Sequence, residues 1–295
     1  MDERRLRYFL TVVDEGGVTA AARRLVIAQP SLSQALRAFE HELGVELFHR
    51  TGRGLTLTSA GSALVGPARE ILRATDAARS AVQAVADVLA GTLELAVLAT
   101  LAIDPLVELL GRFRREHPQV AARLAEPEGV AGVLALVADG DCELGLLDIE
   151  PPPPGFEIVP LGTQELMVVL PRGAAGSAKT LTPAELARLP LIVSPPGTST
   201  RNLLDQALGD TGGAPEIAVE TAAREAIVPL VLAGAGAALL PAPMAADAQR
   251  RGAVIRRMRP AITRPIGLIH RTRQLSPAAR AFVELVRPRS VSTSG

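Results

Sequence analysis

Leu6, Phe9, Leu10 and Val13 lie on one face of an amphipathic helix, which Gly16-Gly17 ends. Thr19 then suits the N-cap of a short Ala20–Leu25 helix. A three-residue break, Val26-Ile27-Ala28, leads to Gln29-Pro30, where proline fits the first turn of a new helix. That helix reaches Leu43, turns Leu32, Leu36, Phe39 and Leu43 inward, and stops at Gly44. Two short extended runs between Leu47 and Leu57, joined by Thr51-Gly52-Arg53-Gly54, predict a hairpin. From a cap at Thr58 a long helix follows. Its apolar or small positions are Leu64, Ala68, Ile71, Thr75, Ala78, Val82, Val85 and Leu89, a heptad seam closed at Gly91. Such a helix is ~45 Å long at 1.5 Å per residue. It outreaches the small module before it, so its stripe calls for a partner, most simply the same helix of a second subunit.

From Thr92 strands and helices alternate, which predicts a parallel α/β sheet. The strand-like runs are Leu93–Leu98, Val120–Leu124, Glu143–Leu147, Glu165–Leu170, Leu191–Ser194, Ile217–Glu220, Ala237–Leu240 and Ile266–Ile269. Leu106, Leu109, Leu110 and Phe113 mark one clear helical stripe, Pro151–Gly155 reads as a turn or linker, and Ser290–Gly295 as a disordered end.

At 295 residues the chain has room for about two domains. Its 31 basic residues balance 31 acids, and residues 1–58 hold eight arginines against seven acids, so any nucleic-acid binding rests on placement rather than bulk charge. The single cysteine, Cys142, excludes an internal disulfide and a cysteine-based zinc cluster. His41, His49, His117 and His270 are too scattered for a metal site. Acids at Asp2 and Glu3, with no apolar run behind them, argue against a secretory signal. The uncharged stretch Ala226–Ala246 is interrupted by Pro229, Gly234, Gly236, Pro241 and Pro243, so a buried helix, turn and strand is expected there instead of a membrane span. The expected setting is the cytoplasm.

The helix–break–helix over 19–43 carries the strongest chemical signal. Its second helix offers Gln29, Ser31, Ser33, Gln34 and Arg37 outward behind Pro30, types that read base edges in a major groove. Arg50 and Arg53 sit at the hairpin tip, where guanidinium groups clamp phosphates. An ordinary helical hairpin with a solvated polar face explains the same spacing equally well. Catalytic signals are missing: there is no Gly-x-Ser-x-Gly elbow, Lys179 follows Ala178 where a P-loop needs glycine, and Gly234-Ala235-Gly236 lacks the third glycine of a dinucleotide fingerprint. Cys142 precedes an apolar strand and reads as a packed core thiol. No cofactor and no enzymatic role is expected.

Thr19-Ala20-Ala21-Ala22-Arg23-Arg24-Leu25, Gln29-Pro30-Ser31-Leu32-Ser33, Leu36, Glu40, Leu43-Gly44, Leu47-Phe48, Arg50, Arg53, Leu57-Thr58 and Ala60-Gly61 together resemble the N-terminal domain of LysR-type transcriptional regulators. The resemblance implies three parts. Residues 1–58 form a winged helix-turn-helix, 59–90 a linker and dimerisation helix (Leu64, Ala68, Ile71, Thr75, Ala78, Val82, Val85), and 91–295 an effector domain. That domain is a two-lobed α/β fold like periplasmic binding proteins, with lobe 1 about 92–161 plus 267–288 and lobe 2 about 162–266. The implied partners are a pseudo-palindromic double-stranded DNA site, a second subunit through the linker helix, a further pairing to a homotetramer, and a small-molecule effector between the lobes; no membrane is involved. The implied effector positions are Thr100, Gly129, Val130, Asp148, Thr198, Ser199, Thr200 and Arg201. The last four open a helix, where hydroxyls, free N–H groups and a guanidinium favour an anion; equally, Thr198 or Ser199 simply caps that helix. Two departures stand out. Ala28 takes the place of a capping Ser or Thr, so Gln29 or a phosphate oxygen is expected to meet the free N–H groups, and Gly129-Val130 replaces hydroxyl residues. With few aromatics, a small aliphatic or polar anion is expected. A solute-binding protein without regulatory role, or an α/β enzyme, are the competing readings.

Overall fold

The computed structural model describes residues 2–51, 54–84, 89–148, 151–174, 179–209, 215–272 and 275–287. Arg53, Val85 and Ser290–Gly295 lie outside them. Three helices open the chain: α1 (Glu3–Asp14), α2 (Val18–Leu25) and α3 (Gln29–Leu43). Helix α2 starts two residues before the expected Ala20, with Gly17 at its N-cap and Thr19 inside the first turn. The three helices enclose Leu6, Phe9, Leu10, Ala21, Leu32, Leu36 and Phe39. The wing, β1 (Phe48–Thr51) and β2 (Gly54–Leu57), pairs Phe48 with Leu57 and packs the Phe48 ring 5.5 Å from Phe9.

Helix α4 (Ser59–Ala84) is 26 residues, about 39 Å at 1.5 Å per residue. Thr58 caps it: its hydroxyl accepts from Gly61 N (2.9 Å) and donates to Glu46 O (2.7 Å), tying the helix start to the chain ahead of the wing. Leu64 and Ala68 face the N-terminal core, with Ala68 fully buried there. The heptad stripe is therefore split. Its first two positions are covered by this chain's own helices, while Ile71 and Ala78 are exposed and Thr75 is half-buried. Gly91, expected to close the helix, is instead the first residue of β3 (Gly91–Val97).

The remaining elements are α5 (Ala99–Ile103), α6 (Leu106–Glu116), β4 (Val120–Ala125), α7 (Gly129–Ala138), β5 (Leu144–Leu147), β6 (Phe156–Leu170), β7 (Thr180–Leu181), α8 (Pro183–Leu186), β8 (Leu191–Val193), α9 (Ser199–Leu208), β9 (Ile217–Glu220), α10 (Arg224–Leu232), β10 (Ala238–Pro241), α11 (Ala242–Arg250), β11 (Val254–Arg271) and α12 (Pro277–Val286). The main sheet has the order β10-β6-β11-β5-β3-β4, with β7 beside β11. It is mixed, not parallel as expected. Strands β3, β4 and β5 run parallel, but β11 is antiparallel to both β5 and β6, and β10 is antiparallel to β6. The sequence conceals this because β6 and β11 are 15 and 18 residues long, yet only their ends are apolar. Their middles, which cross from one lobe to the other, carry residues such as Gly162, Gln164, Arg257, Pro260 and Arg264 and read as loop.

Lobe 1 packs Leu93, Leu95, Leu144, Leu146, Phe113, Phe282 and Ile269 into one core. Lobe 2 buries both faces of its strands, Leu166, Val168 and Leu239 on one and Met167, Val169 and Leu240 on the other. Cys142 is buried in the first core, as expected, and burial pushes its thiol up to about 12, which leaves it protonated at neutral pH. Among the described residues no helix is long and apolar enough to cross a membrane, and Ala226–Ala246 divides into the end of α10, a turn, β10 and the start of α11.

Gly61 shows why the first turn of α4 needs glycine: an added Cβ would stand 2.1 Å from the Leu47 carbonyl oxygen. That neighbour is backbone and cannot swing aside. Gly61→Ala is expected to destabilise the N-terminal module by about 1–3 kcal/mol, measured as a lower midpoint in urea denaturation; an unchanged midpoint would contradict this packing.

Candidate nucleic-acid interface and effector cleft

The start of α3 is free. Gln29, Pro30, Ser31, Gln34 and Arg37 are exposed and Ser33 is half-buried, while Leu32, Leu36 and Phe39 hold the opposite face in the core. The break before it is sharp because Val26 takes the left-handed conformation, φ 55°. This is an unusual place for a β-branched residue, and its side chain is 89% exposed, so packing does not hold it there. No side chain caps α3. Gln29 does not serve as the expected substitute: its side-chain bond among the described residues is a donation from Nε2 to Ser33 Oγ (3.1 Å), and Oε1 meets none of the helix-start N–H groups there. The absent cap matters little here. Pro30 has no N–H, and the Ser31 and Leu32 N–H groups both return to Ala28 O (3.0 and 3.2 Å).

Glu40 braces the wing from the middle of α3. Its Oε1 accepts from Leu47 N (2.9 Å) and Phe48 N (3.2 Å), satisfying two backbone donors where the chain enters β1. A groove of about 490 Å³, lined by Gly17, Thr19, Gln29, Ser33 and Leu55, separates the start of α2 and the face of α3 from the wing. Arg50 lies in β1 opposite Leu55. Nearby acids are largely paired: Glu3 with Arg7, Glu15 with Arg24 and Glu42 with Arg5.

Between the lobes the central group is one that sequence reasoning missed, Arg264, 1% exposed in the middle of β11. Its Nε and Nη2 donate to Gln164 Oε1 (2.9 and 2.6 Å), the cross-strand neighbour in β6. Nη2 also donates to Thr100 Oγ1 (2.7 Å), and Nη1 to Ser199 Oγ (2.6 Å), with Asp148 Oδ2 at 3.4 Å. Ser199 in turn donates to Asp148 Oδ2. Gln164 completes the set by donating to the Asp104 backbone oxygen and carboxylate (2.9 and 2.7 Å). Burial pulls the Arg264 guanidinium below its ordinary range against the opposing pull of Asp148. Arg224, opening α10, is another half-buried cation near it; burial lowers its pKa too, and Glu126 opposes that.

Thr100, Asp148 and Ser199 thus meet around one guanidinium, while the other expected positions behave differently. Gly129 and Gly197 both hold positive φ and face one another across the lobes, where a Cβ on Gly129 would stand 3.1 Å from Gly197 O. Close approach of two backbones explains that glycine. Val130 packs on the lobe 1 core. Thr198 donates to Pro195 O (2.9 Å) instead of capping α9, and Arg201 turns to Asp205 and Glu220. The Thr200 hydroxyl is buried, has no partner among the described residues, and lines a cavity of about 10 Å³. One signal pointed to Arg264: Ile262, Arg264 and Ile266 alternate along one strand face, and a cation on an apolar face must be paired.

Residues 4–62 match the family described as "Bacterial regulatory helix-turn-helix protein, lysR family", and residues 86–290 match "LysR substrate binding domain". The chain belongs to the LysR family. It is a DNA-binding transcriptional regulator with an effector-binding domain. Among its relatives, the HTH-type transcriptional regulator TcbR of Pseudomonas sp. (strain P51) is 33% identical over 97% of this chain and 98% of its own. TfdS of Cupriavidus pinatubonensis (strain JMP 134 / LMG 1197) is 32% identical at the same coverage. The structure of full-length CbnR complexed with its target DNA superposes with a TM-score of 0.69 at 29% identity, covering 97% of this chain and 99% of that one. A full-length OxyR variant from Pseudomonas aeruginosa, at 22% identity, shares the fold with a TM-score of 0.74, covering 97% and 94%.

In this LysR-family chain a second polar cluster joins the linker helix to lobe 1. Arg69 bridges Asp14 of α1 (2.8 Å) and Asp141, Arg73 donates to Gly140 O, and Glu70 pairs with Arg271 (2.6 Å). Burial raises the Asp141 carboxyl and lowers the Arg73 guanidinium. The joint grips the turn just before β5, whose other end is followed by Asp148 of the cleft.

Removing Arg264 alone leaves the Asp148 carboxylate buried without its cation. Arg264→Met is expected to cost about 3–5 kcal/mol of stability, and adding Asp148→Asn should return part of it. Thermal denaturation of the single and double variants checks this; equal losses in both would mean that the ion pair is not what Arg264 supplies.

Proposed function

We propose that this regulator reads a pseudo-palindromic duplex site with paired α3 helices and adjusts its hold on that site when a small molecule binds between its lobes. The observation that carries the reading is the free, polar start of α3 beside a wing braced by Glu40. Gln29, Ser31, Ser33, Gln34 and Arg37, with Pro30 setting the helix start, serve base edges and nearby backbone, and Arg50 and Arg53 serve phosphates. Thr100, Gly129, Val130, Asp148, Thr198, Ser199, Thr200 and Arg201 belong to the effector region, with Arg264, Gln164 and Arg224 added to them. The protein works by binding, not catalysis, in the cytoplasm, as a homodimer through α4 that pairs again into a homotetramer. The relative CbnR has been captured on its target DNA, which supports the same partner here.

An effector shifts such a system only through different affinities for two arrangements. The route we assign runs along β5, from Asp148 at the cleft to Asp141 and Gly140 at the linker joint.

A gel-shift titration across salt concentrations tests the DNA reading. Arg50→Ala should weaken all duplexes alike and reduce the salt slope by about one. Ser33→Ala should relax preference at one base pair, by about 1–3 kcal/mol of lost discrimination. Failure of the intact protein to bind any duplex at low salt would end this reading. For assembly, Ile71→Asp places a charge on the open part of the α4 stripe and should halve the sedimenting mass; an unchanged mass with DNA affinity intact would move the dimer contact elsewhere.

A further inference from the structure

The interlobe groups are unevenly satisfied, and the imbalance describes a ligand. A guanidinium has five N–H donors, and those of Arg264 turn to Gln164 twice, to Thr100 and, through one shared Nη1 N–H, to Ser199 and Asp148 together. Most of that residue's donors are therefore already spent on the protein's own groups. The carboxylate beside it is in the opposite condition. Asp148 Oδ2 receives both Ser199 and Arg264, but Oδ1 is buried and has no partner among the described residues. The Asp148 side chain is only 10% exposed, so solvent does not fill the need.

Helix α9 adds the complementary demand. Thr198 does not cap it, its first internal bond runs from Asn202 N to Thr198 O (2.9 Å), and no side chain among the described residues serves the N–H groups of its first turn. Such a helix start seeks an acceptor, best a negative one. Donor-seeking Asp148 and acceptor-seeking α9 meet at one atom, Ser199 Oγ, which donates to the first and belongs to the second. A molecule that takes over both sides carries an acceptor and a donor close together, as on neighbouring carbons.

We infer that the effector is a small 2-hydroxy- or 2-aminocarboxylate, its carboxylate on the first turn of α9 and its hydroxyl or ammonium donating to Asp148. A carboxylate without that donor would set a negative charge against Asp148 and leave Oδ1 unpaired, which is costly in a buried site. The charge balance agrees. Arg264 and Asp148 cancel, and Arg224 has Glu126 opposite, so the cleft holds no large surplus of positive charge for a bare anion. This inference rests on the effector lying between the lobes.

The test is thermal melting of the full chain with matched acids at 10 mM: glycolate against acetate, lactate against propionate, malate against succinate, and alanine as the amino arm. At least one donor-bearing acid should raise the midpoint by about 2–4 °C and its partner without the donor should not. Asp148→Asn should erase that difference, and Thr100→Val should weaken the shift. If Asp148→Asn does not fold, Ser199→Ala decides: it keeps the carboxylate and removes its internal donor, so the preference for the donor-bearing acid should grow, and its loss overturns the inference. Equal shifts within a pair that Thr100→Val abolishes overturn the donor requirement and keep the interlobe site. Shifts indifferent to both variants overturn the interlobe site itself. No shift from any acid overturns the inference.

Discussion

The two lobes are held in register by one buried cation. Arg264 sits where β6 and β11 cross between them, and a guanidinium there must satisfy five donors or destabilise the domain. It does so by reaching Thr100 in lobe 1, Gln164 on the neighbouring strand and Ser199 at the start of α9 in lobe 2. Each such bond from a charged group contributes about 1.5–3 kcal/mol. Their collective effect is geometric, because a planar fork bonded through Nε, Nη1 and Nη2 allows few relative positions of the groups around it. A reorientation of the lobes that separates Thr100 from Ser199 has to break Arg264 contacts.

Net charge, which is zero, gave no hint of a nucleic-acid partner. The structure resolves this through pairing. Acids of the first module are drawn into ion pairs with Arg5, Arg7 and Arg24, and Glu40 is consumed by the wing's backbone donors. The start of α3 is left with amides, hydroxyls and Arg37. A face with no acid of its own is attractive to phosphate even in a protein with no net charge, since repulsion at contact distance decides more than charge a Debye length away.

What the sequence revealed follows the range of the interactions. The first module was legible almost residue by residue: helices at 3–14 and 29–43, the hairpin and the capping Thr58 are set by contacts within a few residues. Helix α2 began earlier than expected because Gly17, not Thr19, is the point where the chain turns. The crossing strands were half hidden, because their middles are polar where they leave the lobes. Thr100, Asp148 and Ser199 came from family resemblance. Arg264 was missed because its partners lie 65 to 164 residues away, and periodicity carries no memory over such distances. The pairing of Arg201 with Asp205 and Glu220 was hidden in the same way, Glu220 lying 19 residues away on another element.

Strand β5 gives the two polar clusters a common part. It is four residues long, every one buried, and paired on both sides by β3 and β11. Gly145 at its centre has no room for a methyl group, since a Cβ would stand 2.7 Å from Val133 and 2.8 Å from Ile269. A strand packed this tightly cannot stretch or slip by part of a residue; it moves with its neighbours or not at all. In the proposed route, displacement of Asp148 by a change at Ser199 or Arg264 would bear on Asp141 and Gly140, which contact Arg69 and Arg73 of the linker helix. Arg69 also binds Asp14 of the first helix, so the far end of that path already touches the module that carries α3. The proposed route thus rests on one short, buried strand with an arginine contact near each end.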